Sequence, residues 1–375
     1  MDAPGPWGTG PFILSRGYSS IQNVPAFINK KPFETTWLTV KEERTPLVVL
    51  EANRDYWNKK RGPRLRSVFF RNDLSSKEAL HLCTTTEGQV DIVTQVDPKD
   101  ARKVIASKFA KLVSEKGNQV LAGVFNRFRQ DVDFNNRNLR LAINLAVNRE
   151  ELIQRGFYGY ADEVAALTPS WAVDYPKELA ARAYDPENAR SLMKKANYPK
   201  GRKLKLAAKG KYADIANLMA KQIQRALDIG VEVMIIHEDD EINWMKILAE
   251  KKLVPNWDIL LANATALFYE DTPAFFHREF FGKSGALRAG PELPQFNQLF
   301  QKMSAEVDKR KRMEIAKEID RYVFKEALAL FLCVPQSLYG VNRHVEFQPY
   351  RTTLELAETE VTKEHWSRRT YPGRA

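Results

Sequence analysis

Tyr184-Asp185-Pro186-Glu187-Asn188-Ala189 opens the stretch that decides the fold class, which continues through Ala196-Asn197-Tyr198-Pro199 to Ile229-Gly230-Val231-Glu232-Val233. Asp185 before Pro186 reads as a helix cap plus a first-turn proline, whose missing N–H is one the helix start leaves unpaired anyway. Ala189, Leu192, Met193 and Ala196 then recur at helical spacing and face inward. Asn197 can take the left-handed conformation that ends a helix, and Pro199 forbids continuation. A second helix carries Ile215, Leu218, Met219, Ile223 and Leu227 and is closed by Gly230. Val231, Val233 and Ile235 then alternate as a strand. Strands alternating with helices of this length give α/β order.

The same grammar runs outward in both directions. Leu47 to Leu50 and Ser67 to Phe70 read as strands, and Ser75 with Glu78 forms a capping box before a helix that reaches about Thr84. Val90 to Val93 is a strand, and Asp97-Pro98 repeats the cap-plus-proline signature ahead of a helix through Val104 and Ile105. From Asn136, the apolar positions Leu139, Ile143, Ala146 and Ile153 fall on one helical face. Trp257 to Leu261 is a strand. Met303, Val307, Ile315, Ile319 and Val323 mark one long amphipathic helix, and a strand-rich segment from Leu328 to Val341 follows it. There is no repeat and no low-complexity tract.

The composition suits a folded protein of two domains: 375 residues, 44% apolar and 11% aromatic. The net charge of +11 favours acidic partners. Two cysteines, Cys83 and Cys333, cannot form a disulfide scaffold or a four-ligand zinc site, and both read as core residues. No run reaches the ~18 apolar residues of a membrane span. Met1 to Gly10 has neither a basic head nor an apolar stretch, so no signal peptide is read there.

Catalytic chemistry finds little support. His237 to Glu241 is acidic, but five consecutive residues rarely converge on one ion, and a strand end followed by an acidic first helical turn accounts for them. Gly282-Lys283-Ser284 resembles the end of a phosphate loop, yet His277 stands where the loop requires glycine. No G-x-S-x-G occurs. The basic run Lys309-Arg310-Lys311-Arg312 is interleaved with Glu306, Asp308 and Glu314 and lacks stacking aromatics, as a solvated face does. Lys200 to Lys211 is the better phosphate-contact candidate, though it too reads as a surface loop. The sequence therefore predicts no catalytic residue, no metal ligand and no cofactor.

An ordered series of motifs is more specific. Gly8-Thr9-Gly10-Pro11-Phe12, Leu50-Glu51-Ala52-Asn53-Arg54-Asp55-Tyr56-Trp57, Gly88-Gln89-Val90-Asp91-Ile92 and Asn138-Leu139-Arg140-Leu141-Ala142 come first. Asn148-Arg149-Glu150-Glu151-Leu152-Ile153, the 184–189 and 196–199 stretches, 229–233 and Trp257-Asp258-Ile259 complete it. In register over nearly the whole chain, the series resembles family 5 of the extracytoplasmic solute-binding proteins, which serve peptide and nickel importers. The resemblance implies an α/β, two-lobe periplasmic-binding-protein-like (class II) fold with mixed sheets. Lobe I would comprise 1–158 and 338–375, and lobe II 159–337.

Two departures from the family pattern bear on function. The family carries well over a hundred residues before the G-T-G-P strand, whereas Gly8 stands near the start here. Lobe I is thus expected to be incomplete at its N-terminal end: a trimmed chain, a fragment, or a protein completed by a second polypeptide. Peptide binders in the family also follow the lobe II strand with G-W-x-x-D-Y-x-x-P, whose Asp pairs with the ligand's ammonium group. Here Leu261 to Pro273 puts Thr265 or Ala266 at the tryptophan and Tyr269 or Glu270 near the aspartate. Glu270 or Asp271 replaces that anchor, or else both cap the following turn or helix.

The ligand-binding candidates are Asn263, Thr265, Tyr269, Glu270 and Asp271, with Trp171 as an aromatic wall or, alternatively, as lobe core. The resemblance implies a non-enzymatic carrier that captures a small-molecule or peptide ligand between its lobes and delivers it to the membrane subunits of an ABC importer. It would act extracytoplasmically, in periplasm or envelope, or in the cytoplasm if Met1 is the native start. Two other classes remain: an interaction or sensor subunit completed by another polypeptide, and, with less support, nucleic-acid binding by the positive surface.

Overall fold

The structure is a computed structural model and describes residues 8–27, 35–237, 256–265, 274–283, 285, 290–351 and 353–369. The chain forms two compact units: Met1–Val24, Thr39–Lys116 and Ser337–Ala375 in the first, Pro25–Leu38 and Gly117–Gln336 in the second. Its elements begin with β1 (Phe12–Arg16), β2 (Ser19–Phe27), β3 (Thr35–Arg44), β4 (Leu47–Ala52), β5 (Ser67–Arg71), α1 (Ser76–Thr85), β6 (Ile92–Val93), α2 (Ala101–Ile105) and β7 (Ala110–Glu115). There follow β8 (Gln119–Phe125), α3 (Arg137–Leu145), α4 (Arg149–Gly156), β9 (Ala161–Glu163), α5 (Pro186–Lys195), β10 (Leu204–Lys209), α6 (Ala213–Leu227) and β11 (Val231–Ile236). The chain continues with β12 (Ile259–Thr265), α7 (Ala274–Phe281), α8 (Pro294–Ala305), α9 (Lys309–Lys325) and β13 (Ala329–Pro335). It ends with β14 (Ser337–Asn342), β15 (Val345–Glu346) and β16 (Glu360–Val361).

In the second unit a six-stranded mixed sheet runs β11-β10-β12-β8-β13-β9. Alternation of side chains across the pleat divides its core in two. Leu121, Leu206, Ile259, Leu261 and Leu330 pack with α3 to α6, whereas Val120, Val124, Ala207, Leu260 and Phe331 pack with α7 to α9. Because β8 lies between β12 and β13, residues 117–158 belong to this unit, and the division falls after 116 rather than after 158. In the first unit, Tyr339, Val341, Val345, Phe347 and Leu356 form a core with Phe12, Val68 and Phe70 from the sheet β1-β4-β5.

The caps read from sequence form as hydrogen bonds. Ser75 and Glu78 make both bonds of their box, and Asp185 accepts from Asn188 N at 3.0 Å. Asn197 is left-handed at φ 53°. Several readings change. The 136–153 run is two helices, because Asn148 accepts from Glu151 N at 2.9 Å and starts α4. The 303–323 run is also two, because Asp308 caps α9 by accepting from Lys311 N at 2.9 Å. Val307, placed on the inward face by spacing, is 91% exposed in the break between them. After α6 the left-handed residue is Asp228, two positions before Gly230. The strand read from Trp257 starts at Ile259 and reaches Thr265.

Two arginines of the motif series hold the second unit together from inside. Arg140, 1% exposed, donates to the carbonyls of Phe134, Asn135, Glu326 and Ala327. Arg149 donates to Phe331 O at 2.7 Å, Asn144 O at 3.1 Å and Arg182 O at 3.0 Å. Burial pushes both guanidinium groups down to about 10, so they stay charged at neutral pH. Each planar fork spends its donors on several backbone carbonyls, and truncation would strand those that it serves. Arg149→Ala is expected to lower the stability of this unit by roughly 3–5 kcal/mol, and Arg149→Lys to recover less than half of that loss. Urea denaturation of the two variants measures both; equal stability of Ala and wild type would refute the assignment.

Candidate functional site

Strand direction brings Asn263, Thr265 and Trp171 to one edge of the second unit's sheet. β10 is parallel to both β11 and β12, pairing Lys209 with Ile236 and Ala208 with Leu261. β8 runs antiparallel to β12, setting Thr265 opposite Gln119, and β13 returns antiparallel to β8. The C-terminal ends of β10, β11, β12 and β13 therefore share an edge with the start of β8. Open α/β sheets bind ligands at such carboxyl ends.

Asn263 lies opposite Leu121 near this edge. It is half-buried, and its carboxamide has no hydrogen-bond partner among the described residues. A half-buried amide with two donors and an acceptor unused is suited to a peptide group or another polar ligand. Thr265 is the last residue of β12. Trp171, also half-buried, reaches the same edge, where its Nε1 donates to Gly117 O at 2.8 Å. Tyr269, Glu270 and Asp271 lie outside the described residues, as do Glu238 to Glu241; His237 is exposed at the end of β11.

The opposite edge of the sheet carries its strongest charge cluster. Asp258, fully buried just before β12, accepts two bonds of 2.7 Å from Arg202 and one of 2.8 Å from Lys205 N, with Arg129 Nε at 3.2 Å. Arg202 also donates to Asp131 at 2.7 Å and to Tyr198 Oη at 2.9 Å. The W-D-I and Y-P motifs thus meet in one structural knot. A second knot lies in the first unit. Asp91 Oδ1 accepts from Asn342 Nδ2 at 3.0 Å and Trp366 Nε1 at 2.9 Å, with His365 Nε2 at 3.1 Å.

Ser367 Oγ stands 2.8 Å from His365 Nδ1, so a serine, a histidine and an aspartate are adjacent. Ser367 N also points at Nδ1 from 3.3 Å, as in a helix cap. With three donors around one carboxylate oxygen, Asp91 fastens the C-terminal segment. The sequence flagged Asp91 through its motif; His365 and Trp366 carried no signal, being more than 270 positions away. His277, which breaks the phosphate-loop spacing, is buried against Asp320 at 2.7 Å and joins α7 to α9. Cys83 and Cys333 are free and buried, in different units, and burial pushes the Cys83 thiol up to about 12. Neither offers a thiolate nucleophile at neutral pH.

The profile of the bacterial extracellular solute-binding proteins, family 5 (middle region), matches residues 38–286. The chain belongs to this family. A relative is the glutathione-binding protein GsiB of Pectobacterium atrosepticum, 28% identical over 197 residues, which are 52% of this chain and 37% of that protein. Another is the di/tripeptide-binding protein 3 of Pseudomonas aeruginosa, 24% identical over 235 residues, 62% of this chain and 38% of the relative. These matches thus span under two fifths of either relative. Among solved structures, the ABC transporter substrate binding protein CtaP of Listeria monocytogenes superimposes with a TM-score of 0.74 at 17% identity. It covers 94% of this chain and 67% of its own, and supports the mixed α/β binding-protein fold.

The knot around Arg202 has a pH signature. Hydrogen bonds from Arg202, then from Arg129, hold the Asp131 carboxyl well below the usual carboxylate range. A carboxylate with a depressed folded pKa adds stability above its unfolded value, about 4, and loses it as pH falls further. Between about pH 5 and pH 2.5 the urea midpoint should therefore fall more steeply in wild type than in Asp131→Asn. Identical slopes would show that the bond to Arg202 is not kept in solution.

Proposed function

We propose that this chain is the substrate-binding component of an ABC importer, or a part of one. On this reading it works outside the cytoplasmic membrane, captures a short peptide or peptide-like solute without chemical change, and passes it to the importer's membrane subunits. Membership of the solute-binding family carries the proposal. The names of the glutathione-binding and di/tripeptide-binding relatives favour a peptide-like ligand. The strand-end edge supplies the means. Asn263 would satisfy a ligand peptide group, Thr265 lies two positions further along, and the Trp171 ring gives an apolar wall. Glu270 or Asp271 would face a ligand ammonium, since an opposite charge at close range is what that group needs. As in the sequence reading, the ligand would be enclosed by hinge closure of two lobes.

Titration calorimetry with glutathione and with a set of dipeptides and tripeptides tests this. Saturable one-to-one binding of at least one, recovered chemically unchanged, is the expected result. Absence of binding across the set, or turnover of a bound member, would sink it. Asn263→Ala should weaken the binding about tenfold, the ~1.4 kcal/mol of one well-placed hydrogen bond.

A further inference from the structure

Tyr212 combines a buried ring with a hydroxyl that makes no hydrogen bond among the described residues. It ends the short turn Gly210–Tyr212, which joins the C-terminal end of β10 to the start of α6 at the sheet edge described above. The ring belongs to the core: Tyr212 is 9% exposed and packs in one cluster with Leu121, Ala208, Ile215, Leu261 and Cys333. The hydroxyl does not cap α6. Burial, with a smaller push from the Cys333 thiol, raises it to about 12, so it keeps its proton at neutral pH and can donate. A phenol placed in this way is suited to an oxygen brought by a ligand, because a buried donor gains most where it has no other bond.

Its surroundings are those of Asn263. Ile259 and Leu261 of β12 face the α3–α6 side of the sheet, so Asn263, two positions on, faces that side too. Asn263 stands opposite Leu121 and Leu121 opposite Cys333, one row across β12, β8 and β13 on the side where Tyr212 packs. On the other flank of β12, Leu206 is level with Ile259 and Ala208 with Leu261. The same register carries β10 to Gly210 at the level of Asn263, where an added Cβ would meet nothing within 4 Å. The Lys211 ammonium lies 4.9 Å over the Tyr212 ring, which makes this side more welcoming to an oxygen than to a cation. One stretch of edge thus offers open space, a carboxamide and a phenol.

We infer that Tyr212 is a further ligand-binding residue of this edge, its hydroxyl donating to a backbone oxygen of the peptide-like solute beside the group that Asn263 takes. The inference rests on the binding-protein reading above and adds a donor to it. Gly210 keeps the approach to both side chains clear.

Titration calorimetry of Tyr212→Phe with glutathione and the same dipeptides and tripeptides tests this, beside thermal unfolding without ligand. Phenylalanine keeps the ring and loses only the hydroxyl. Affinity for each solute that wild type binds should fall about three- to tenfold, while the ligand-free melting temperature stays level or rises. Unchanged affinity overturns the inference. Weaker binding together with a lower melting temperature would make the hydroxyl part of the scaffold and overturn it as well. Gly210→Leu probes the same place with Tyr212 intact, at an exposed position with room for the side chain. It should fold as wild type does and bind about tenfold more weakly, since the added side chain takes the solute's space. Unaltered affinity there would place the solute elsewhere and refute the inference. The two readings fail differently: if wild type binds no member of the set, the proposed function falls and the inference with it, whereas binding that survives both substitutions removes the inference alone.

Discussion

Two buried guanidinium groups, hydrogen-bonded to backbone carbonyls rather than to any carboxylate among the described residues, are the constraint on which the larger unit depends. Arg140 and Arg149 gather carbonyls from the turn before α3, from the last turn of α3, from the residues leading into β13 and from β13 itself. A guanidinium in apolar surroundings is tolerated only if its donors are spent, and here backbone oxygens spend them. The arrangement couples the helix pair α3–α4 to a strand about 190 positions later, and that strand completes the sheet whose edge carries Asn263. Moving either arginine would shift β13, then β8 beside it, and then the register that brings Thr265 opposite Gln119.

Most elements were legible because their signals are local. A cap and its first turn lie within four residues, so Ser75, Asp97, Asn136 and Asp185 could be read directly. The misreadings have the same origin. Apolar spacing continues smoothly through Asn148 and Asp308, but a side chain that caps the next helix outweighs periodicity at both places. Val307 fits the stripe on paper and faces solvent because the helix has already ended.

The candidate site was legible only in part. That Asn263 and Thr265 stand at a strand end follows from the strand pattern, but which edge they share depends on pairings across more than a hundred residues. The bond from Trp171 to Gly117, like the clamp of Trp366 and His365 on Asp91, is a long-range choice that no short pattern encodes. The motifs that carry the family resemblance turn out to be spent inward: Asp91, Arg140, Arg149, Tyr198 and Asp258 all bond to the scaffold. On the proposed reading, recognition falls to residues outside the motifs, which is why fold came more readily from the sequence than ligand did.

The place of β8 in its sheet also bears on how the chain is made. Val120 to Phe125 are entirely buried, and both flanking strands, β12 and β13, lie far downstream. As the polypeptide emerges, this apolar strand must wait with two bare edges until β12 and then β13 have followed. Loop closure of that span precedes any ladder bond that would reward it, so the central strand is among the last to be satisfied. A nascent chain of this design depends on being kept from premature pairing, and its fold becomes self-sustaining only when the last strand of the larger sheet arrives.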